Sequence, residues 1–148
     1  MVTSGKEIIE RLPYGKSFSF VDEIIDINEN GVVGTFTYAK DLPFYEGHFK
    51  DNPITPAVIL TETMAQIGLV CLGLFLLDAK VENRSLAMTS NAVDFFKPVY
   101  PGEKVLVKSE KIYFRFKKLS CRVTMYNHQN EIVCKGTISG MFFENSNE

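Results

Sequence analysis

The chain has 148 residues, of which 45% are hydrophobic and 23% charged, and its formal net charge is −2 at pH 7. We expect one domain over residues 1–148, because this length can bury a substantial core. The ordinary apolar content and near-neutral charge argue against intrinsic disorder and against a nucleic-acid partner. The sequence opens without an apolar signal segment, so we expect a cytoplasmic protein.

The cysteines and histidines are too few and too scattered to indicate a metal site or a disulfide framework. Cys71, Cys121 and Cys134 are odd in number, lie among apolar residues and lack Cys-x-x-Cys spacing. This pattern is typical of buried free thiols in a reducing compartment. The histidines are His48 and His128 alone, so we predict no metal centre.

The first third of the chain predicts a short helix followed by a β-hairpin. Ser4 and Glu7 form a capping-box pattern that opens a helix over residues 5–11, which Pro13 ends. The elements predicted next are a strand over 18–27, a hairpin turn at 28–31, a return strand over 32–38 and an irregular loop over 40–53. That loop carries His48.

The apolar, proline-free sequence that follows Pro56 predicts one long buried helix over residues 56–77. Pro56 suits the first helical position, and Thr55 before it can act as the cap. At 1.5 Å per residue the helix is roughly 33 Å long. Its apolar residues surround the helix, which is typical of a buried or a membrane-spanning segment. The uncharged run over 63–77 is shorter than the ~18–20 residues that a span needs, so we predict a central core helix and no membrane span.

The last part of the chain predicts an antiparallel sheet. A polar connection covers 78–84, and an extended segment over 86–96 and a turn at 98–102 follow it. Strands are predicted over 104–117, 120–126 and 131–143, with a hairpin turn at 127–130. On the first of these strands Ile112, Phe114 and Phe116 are predicted to share a face, and His128 is predicted to be an exposed turn residue. One buried helix with about six antiparallel strands indicates an α+β fold in which one sheet curls around the helix.

A few polar residues stand out near the start of the central helix. Glu62 and Gln66 are four residues apart and share a helix face. A carboxylate at this depth is costly unless it is paired, protonated or used, although a solvated or salt-bridged Glu near a helix start is the alternative. His48 lies fourteen residues earlier, between Gly47 and Phe49. A lone histidine there is usually a core or loop residue, but beside a carboxyl and a helix N-terminus it indicates acid–base chemistry.

These motifs resemble the active-site signature of the 3-hydroxyacyl-[acyl-carrier-protein] dehydratases. The resemblance rests on GHF at 47–49, PITPAV at 53–58, MAQ at 64–66 and the spacing of His48 and Glu62. The segments 12–22 and 96–103 are also similar to that family, so the likeness covers most of the chain. It implies a hotdog fold and a homodimer that pairs its sheets edge to edge, with active sites at the interface. A trimer of dimers is a further arrangement that the resemblance allows.

The resemblance also implies the reaction, a dehydration of (3R)-3-hydroxyacyl thioesters to trans-2-enoyl thioesters in fatty-acid or related lipid or polyketide biosynthesis. His48 would be the base and Glu62 the acid at the leaving hydroxyl. The N–H of Ala57 would bind the thioester carbonyl, with Gly47 and Phe49 also contacting substrate. Gln66 would orient Glu62, or would only satisfy backbone groups. No cofactor is implied beyond the phosphopantetheine arm that carries the substrate.

Substrate and carrier contacts can be assigned as expectations. Candidate walls of an acyl tunnel are Ile59, Phe95 and Phe96, with Phe44 and Phe49 as further apolar neighbours. Residues 104–122 hold seven basic residues and one acid, which suits an acidic acyl carrier protein as partner, although a solvated basic strand is the alternative. The residues predicted to dock the carrier are Lys97, Lys111, Arg115, Lys117 and Lys118.

Four sites depart from the family pattern and bear on substrate range. Ala57 replaces a glycine, Thr55 a methionine, Tyr14 a histidine, and Lys50-Asp51 a Pro-Gly pair. Two other classes of protein remain alternatives, a hotdog thioesterase that releases free acid and a non-catalytic acyl-binding partner of an active dehydratase. The presence of both His48 and Glu62 favours the dehydratase.

Overall fold

The computed structural model describes residues 4–47, 51–77 and 84–144. A short N-terminal helix precedes the sheet, and a long central helix lies between its second and third strands. The N-terminal helix is Gly5–Glu10, and the strands are β1 Glu23–Asn28, β2 Gly31–Thr37, β3 Arg84–Phe95, β4 Lys104–Arg115, β5 Lys118–Tyr126 and β6 Ile132–Glu144. Ser4 caps the first helix by accepting the Glu7 N–H at 3.2 Å, as predicted.

The six strands form one antiparallel sheet in the order β1-β2-β4-β5-β6-β3. β1 and β3 are therefore the two edges. The buried side chains of β2, β4, β5 and β6 face the central helix and build a single core with it. This arrangement confirms the predicted α+β fold, with an antiparallel sheet of six strands wrapped around one helix.

The central helix runs over Ala57–Leu76, and by length and composition it could cross a membrane. In the fold 67% of its most apolar window is buried by protein, so it is the core helix. Its two α-helical parts, Ala57–Ala65 and Leu72–Leu76, flank a π-helical segment, Gln66–Cys71. The sequence did not predict this widening of the helix. Ser109 Oγ on β4 donates to the Gly68 carbonyl at 2.8 Å and so satisfies an acceptor inside the π-helical segment.

A buried pair of hydroxyl groups joins the central helix to the residue that follows β2. Tyr38, just beyond β2, is fully buried, and its hydroxyl lies 2.6 Å from Thr63 Oγ1. Thr63 donates its own proton to the Ile59 carbonyl at 2.9 Å, so the Tyr38 O–H is the donor to Thr63. Burial raises the pKa of Tyr38, which keeps the phenol neutral and able to donate.

Two predicted strand boundaries were wrong. β1 begins at Glu23 rather than residue 18, because a 3₁₀ turn at Lys16–Phe18 precedes it and the Phe20 N–H donates to the Gln66 side chain. β4 ends at Arg115, and Phe116 lies in the turn that follows with a φ of 52°. The predicted common face of Ile112, Phe114 and Phe116 is also wrong. The β4–β5 register shifts between Lys111 and Tyr113, at Ile112, and Phe116 lies in the turn after the strand.

The cysteines agree with their predicted state. Cys71, Cys121 and Cys134 are free and buried. Burial raises the pKa of the Cys71 and Cys134 thiols to about 12 and that of Cys121 to about 11. All three are therefore protonated near neutral pH and serve as small apolar core groups.

A substitution at Gly136 tests how closely β6 packs against the edge strand β3. A Cβ at this position would collide with the Ala92 carbonyl oxygen, whereas a Cβ on Gly15 would meet no atom within 4 Å. We expect Gly136→Ala to lower the free energy of unfolding by about 1–3 kcal/mol, the usual cost of overpacking. Gly15→Ala should change it by less than about 0.5 kcal/mol. Urea unfolding measures both, and equal values for the two variants would contradict the described β3–β6 packing.

Candidate active site

Glu62 is held by a side chain one helical turn further along. Gln66 Nε2 donates to Glu62 Oε2 at 2.9 Å, which confirms that the two residues share a helix face. Glu62 is half-buried, whereas Gln66 is completely buried. The carboxylate is therefore accessible at one side and fixed at the other, which suits a group that must meet a substrate in a defined orientation.

Gln66 also attaches the segment before β1 to the central helix. Its Oε1 accepts the Phe20 N–H at 2.8 Å, and its Nε2 donates to the Phe18 carbonyl at 3.0 Å. These bonds and the one to Glu62 use both amide protons and the carbonyl oxygen. Both roles considered for Gln66 are therefore present in the structure: it contacts the carboxyl and it satisfies backbone groups.

Tyr14 lies on the same side of the helix as Glu62. Its ring centroid is 6.4 Å from that of Phe18. Burial, and next the nearby carboxylate of Glu62, raise the pKa of the Tyr14 hydroxyl above its usual value. A neutral phenol therefore stands beside the carboxyl, at the position where the resembling family commonly has a histidine.

The start of the central helix differs from the prediction by one residue. Ala57 is the first helical residue, and Pro56 occupies the cap position without a side-chain hydrogen bond. Thr55 is not the cap, because its hydroxyl lies 2.5 Å from that of Tyr45 and is buried there. Ala57 is exposed, and an N–H in the first helical turn has no acceptor within the helix. Its amide can therefore serve an external carbonyl.

An open groove adjoins this helix start. Its volume is about 400 Å³, and it is lined by Ile54, Thr55, Ala57, Leu60, Phe95, Phe96, Lys97 and Pro98. Phe95 and Phe96 are 44% and 55% exposed, so these two predicted tunnel walls are available to a ligand. Ile59 does not line the groove and instead packs against the core.

The acid and the groove lie on different sides of the helix. Ala57 and Leu60 face the groove, whereas Glu62 faces Gln66. Five residues separate Ala57 from Glu62, which corresponds to a rotation of about 140° on a helix of 3.6 residues per turn. The side chains of Ala57 and Glu62 therefore project from different sides of the central helix.

The loop with the candidate base is described only at its two ends. His48 and Phe49 lie outside the described residues, while Gly47 ends the 3₁₀ turn Pro43–Glu46 in open surroundings. The hydrogen bond between Tyr45 and Thr55 joins the chain on either side of this loop. This pair could not be predicted, because two hydroxyl groups ten residues apart in the chain follow no local pattern.

The predicted carrier-docking cations do not form one cluster. Lys97 lines the groove and forms an ion pair with Glu131 at 3.1 Å. Lys117 lies in the β4–β5 turn, between Arg115 and Lys118. The nine residues of β5 separate this turn from the groove end of the sheet, a distance of roughly 27 Å at 3.3 Å per residue.

His128 lies in an exposed turn, and the part of the chain that the structure describes adds no metal site. His128 is exposed in the β5–β6 turn, as predicted, with its Nδ1 3.4 Å from Glu103 Oε2. Within residues 4–47, 51–77 and 84–144, no three His, Cys, Asp or Glu side chains gather in a way that could hold a metal ion.

Solved structures identify the class of fold. A dehydratase heterocomplex, ApeI:P, from Xenorhabdus doucetiae aligns with a TM-score of 0.77 at 13% identity, over 95% of this chain and 91% of that one. A thioesterase from Haemophilus influenzae aligns with a TM-score of 0.69 at 13% identity, over 97% and 93% of the two chains. Such low identity shows the fold alone, and the fold is the hotdog fold.

Sequence comparison identifies the family. Residues 12–138 match the FabA-like domain. The 3-hydroxyacyl-[acyl-carrier-protein] dehydratase FabZ of Caldicellulosiruptor saccharolyticus is 32% identical over 88% of this chain and 92% of its own length. That of Methylobacterium radiotolerans is 33% identical over 88% and 80% of the two lengths. The chain therefore belongs to the FabA-like family of 3-hydroxyacyl-[acyl-carrier-protein] dehydratases, as its motifs predict.

Replacing Gln66 and Thr63 in turn tests two buried hydrogen bonds of the central helix, one to the Phe20 N–H and one to the Tyr38 hydroxyl. Gln66→Leu leaves the Phe20 N–H without its acceptor, and Thr63→Val leaves the Tyr38 hydroxyl without its acceptor. We expect each to lower the free energy of unfolding by about 1–3 kcal/mol, the cost of an unsatisfied buried polar group. Thermal unfolding measures this, and an unchanged stability for Gln66→Leu would contradict the described network.

Proposed function

We propose that this protein removes water from 3-hydroxyacyl thioesters carried on an acyl carrier protein and forms trans-2-enoyl thioesters. The pathway would be fatty-acid synthesis or a related lipid or polyketide pathway. The observation that carries the proposal is the contact between Gln66 and the half-buried Glu62, in a chain of this family that also has His48. Membership of the family and the names of its relatives support the same reaction.

His48 is proposed as the general base. The α-proton of a 3-hydroxyacyl thioester is weakly acidic, and a neutral imidazole with a pKa of about 6.5 is a suitable acceptor near neutral pH. The electron pair released from the C–H bond delocalises onto the thioester carbonyl as an enolate. The exposed amide of Ala57 is proposed to donate to that oxygen, with Gly47 and Phe49 shaping the site around it.

Glu62 is proposed to protonate or position the leaving hydroxyl. The carbon–oxygen bond at C3 breaks as the enolate collapses, and the proton that hydroxide needs in order to leave as water comes from an acid at this position. Gln66 is proposed as its positioning residue, since the amide is buried and bonded on three sides. The elimination transfers protons only, so we propose that it requires no cofactor besides the carrier's phosphopantetheine.

The site is proposed to be shared between two subunits. The side chains of Glu62 and Ala57 project from different sides of one helix, which supports a site in which the acid of a second subunit meets the Ala57 amide and His48. The edge strand β3 supports this arrangement, because it lies at one edge of the sheet and most of its residues over 85–95 are exposed. Its exposed side chains include Met88 and Phe95, and an exposed edge of this length favours pairing with another strand. The protein is thus proposed to be a homodimer, with a trimer of dimers as the larger assembly to be tested.

Carrier docking is proposed near the groove rather than along the whole basic segment. Lys97 lies at the groove, so the ion pair it forms with Glu131 can open towards a carrier phosphate or carboxylate. Phe95 and Phe96 would then contact the acyl chain. A cytoplasmic location stays a prediction that agrees with a carrier-bound substrate.

Enoyl formation from a purified 3-hydroxyacyl-carrier-protein thioester tests the reaction. We expect the characteristic ultraviolet absorbance of an enoyl thioester with the wild-type chain. His48→Ala and Glu62→Gln should each slow the reaction by about 10²–10⁴-fold, the usual contribution of a general acid or base. Glu10→Gln, on an exposed residue of the N-terminal helix, is the matched control and should retain the wild-type rate.

The products decide between the classes of protein. Release of free acid without enoyl thioester would identify a thioesterase. Binding of the thioester with neither product, across several chain lengths, would identify an acyl-binding partner. Either result would contradict the proposed dehydration.

Subunit mixing tests the shared site. His48→Ala and Glu62→Ala should each be inactive as homodimers, but unfolding and refolding them together should restore about a quarter of the wild-type activity, because half of the dimers are mixed and each has one intact site. Mixed dimers can be confirmed with two affinity tags. Absence of recovery in confirmed mixed dimers would show that the two groups act within one chain.

A further inference from the structure

The β4–β5 turn presents the most exposed large apolar side chain among the described residues. Phe116 is 90% exposed, more than any other such residue in residues 4–47, 51–77 and 84–144. It occupies the turn together with Lys117, between Arg115 and Lys118, which face each other in the ladder. No part of the proposed reaction uses this phenylalanine, because the turn lies at the end of the sheet away from the groove.

The backbone of this turn is unfavourable for the residues that form it. The φ angles of Phe116 and Lys117 are 52° and 65°, the left-handed values of a type I′ turn. Asn and Gly adopt these values readily, whereas a bulky side chain does so at a cost. The chain thus keeps a strained aromatic residue in a turn where a small polar residue would fold more easily. Phe116 is 90% exposed, so packing against the described residues does not explain the cost.

The turn is held in place and has apolar neighbours. The Phe142 N–H donates to the Lys117 carbonyl at 2.8 Å, which joins the turn to β6. Met141 faces Lys118 in the ladder and is 42% exposed, and Phe143 is 48% exposed. Phe116 in the turn and Met141 and Phe143 on the neighbouring strand β6 are therefore exposed apolar side chains at the same end of the sheet, and we call these three residues the hairpin tip.

The charge around the hairpin tip is positive. Arg115 and Lys117 are exposed, and Lys118 is half-buried. The acidic residues on the three strands β4, β5 and β6 are Glu110, across from Arg122, and Glu144, across from Arg84. Three cations beside an apolar tip therefore face outward with one acid, Glu144, at the end of the neighbouring strand.

We propose that the hairpin tip binds the surface of an anionic lipid bilayer. An aromatic side chain at a protruding tip can enter the interfacial region of a bilayer, while the flanking cations remain among anionic headgroups. An anionic bilayer meets both requirements at once, because its headgroups attract the cations and its interfacial region accepts a protruding aromatic ring. Bound in this way, the protein would keep its groove, at the opposite end of the sheet, open to a soluble carrier.

Vesicle co-sedimentation tests the proposal with the full-length chain. We expect binding to vesicles that contain phosphatidylglycerol, much weaker binding to phosphatidylcholine alone, and loss of binding at high salt. Phe116→Asn should weaken binding about tenfold by removing the inserted ring. Lys117→Glu should weaken it by about fivefold or more. The matched controls are Ile25→Asn, on an exposed apolar residue of β1, and Lys104→Glu, and both should bind as the wild-type chain does.

Phe116→Asn should fold at least as well as the wild-type chain, because Asn suits the left-handed conformation. It should also convert a carrier-free 3-hydroxyacyl thioester at the wild-type rate, so a failure of lipid binding is distinguishable from a failure of the proposed reaction. Absence of binding to anionic vesicles, or equal binding by Phe116→Asn and the wild-type chain, would overturn the proposal. Binding of an acidic carrier protein that depends on Phe116, without vesicle binding, would also overturn it and assign the tip to the carrier.

Discussion

The structure of the candidate site depends on one buried amide. Gln66 is completely buried, and it binds Phe20, Phe18 and Glu62 at once. A buried amide without hydrogen-bond partners lowers the free energy of unfolding. The positions of the segment before β1 and of the Glu62 carboxyl, which supply those partners, therefore stabilise the fold. The same contacts therefore attach the N-terminal segment to the central helix and orient the acid.

Much of the fold follows from sequence patterns that act locally. Alternation of apolar residues, turn residues and the proline-free apolar run predicted the strands and the central helix, because each depends on neighbours close in the chain. Several errors occurred where a distant contact decides the structure, whereas the early end of β4 follows from the local turn at Phe116. β1 starts late because the Phe20 N–H binds a side chain 46 residues away, and Thr55 is not a cap because Tyr45 takes its hydroxyl. The π-helical segment has no local signal either, since Ser109 satisfies it from β4.

The candidate site could be predicted only in part. The spacing of Glu62 and Gln66 correctly indicated their contact, since residues four apart on a helix are neighbours. The groove beside Ala57 could be seen only in the folded chain, because Phe95, Phe96 and Lys97 reach the helix start from a distant part of the sequence. The basic residues were grouped by sequence, but the length of β5 separates Lys97 from Lys117, so nearness in sequence overstated their nearness in space.

Gln66 is proposed to act on the reaction through Glu62, to which its side chain is hydrogen-bonded. A double-mutant cycle in kcat with Glu62→Gln, Gln66→Leu and the double variant tests it most directly, with each protein shown to be folded at the assay temperature. If the claim holds, Gln66→Leu slows the wild-type chain by on the order of tenfold but slows the Glu62→Gln chain by less than about twofold. Equal slowing in both backgrounds would show that Gln66 and Glu62 act independently and would contradict the account.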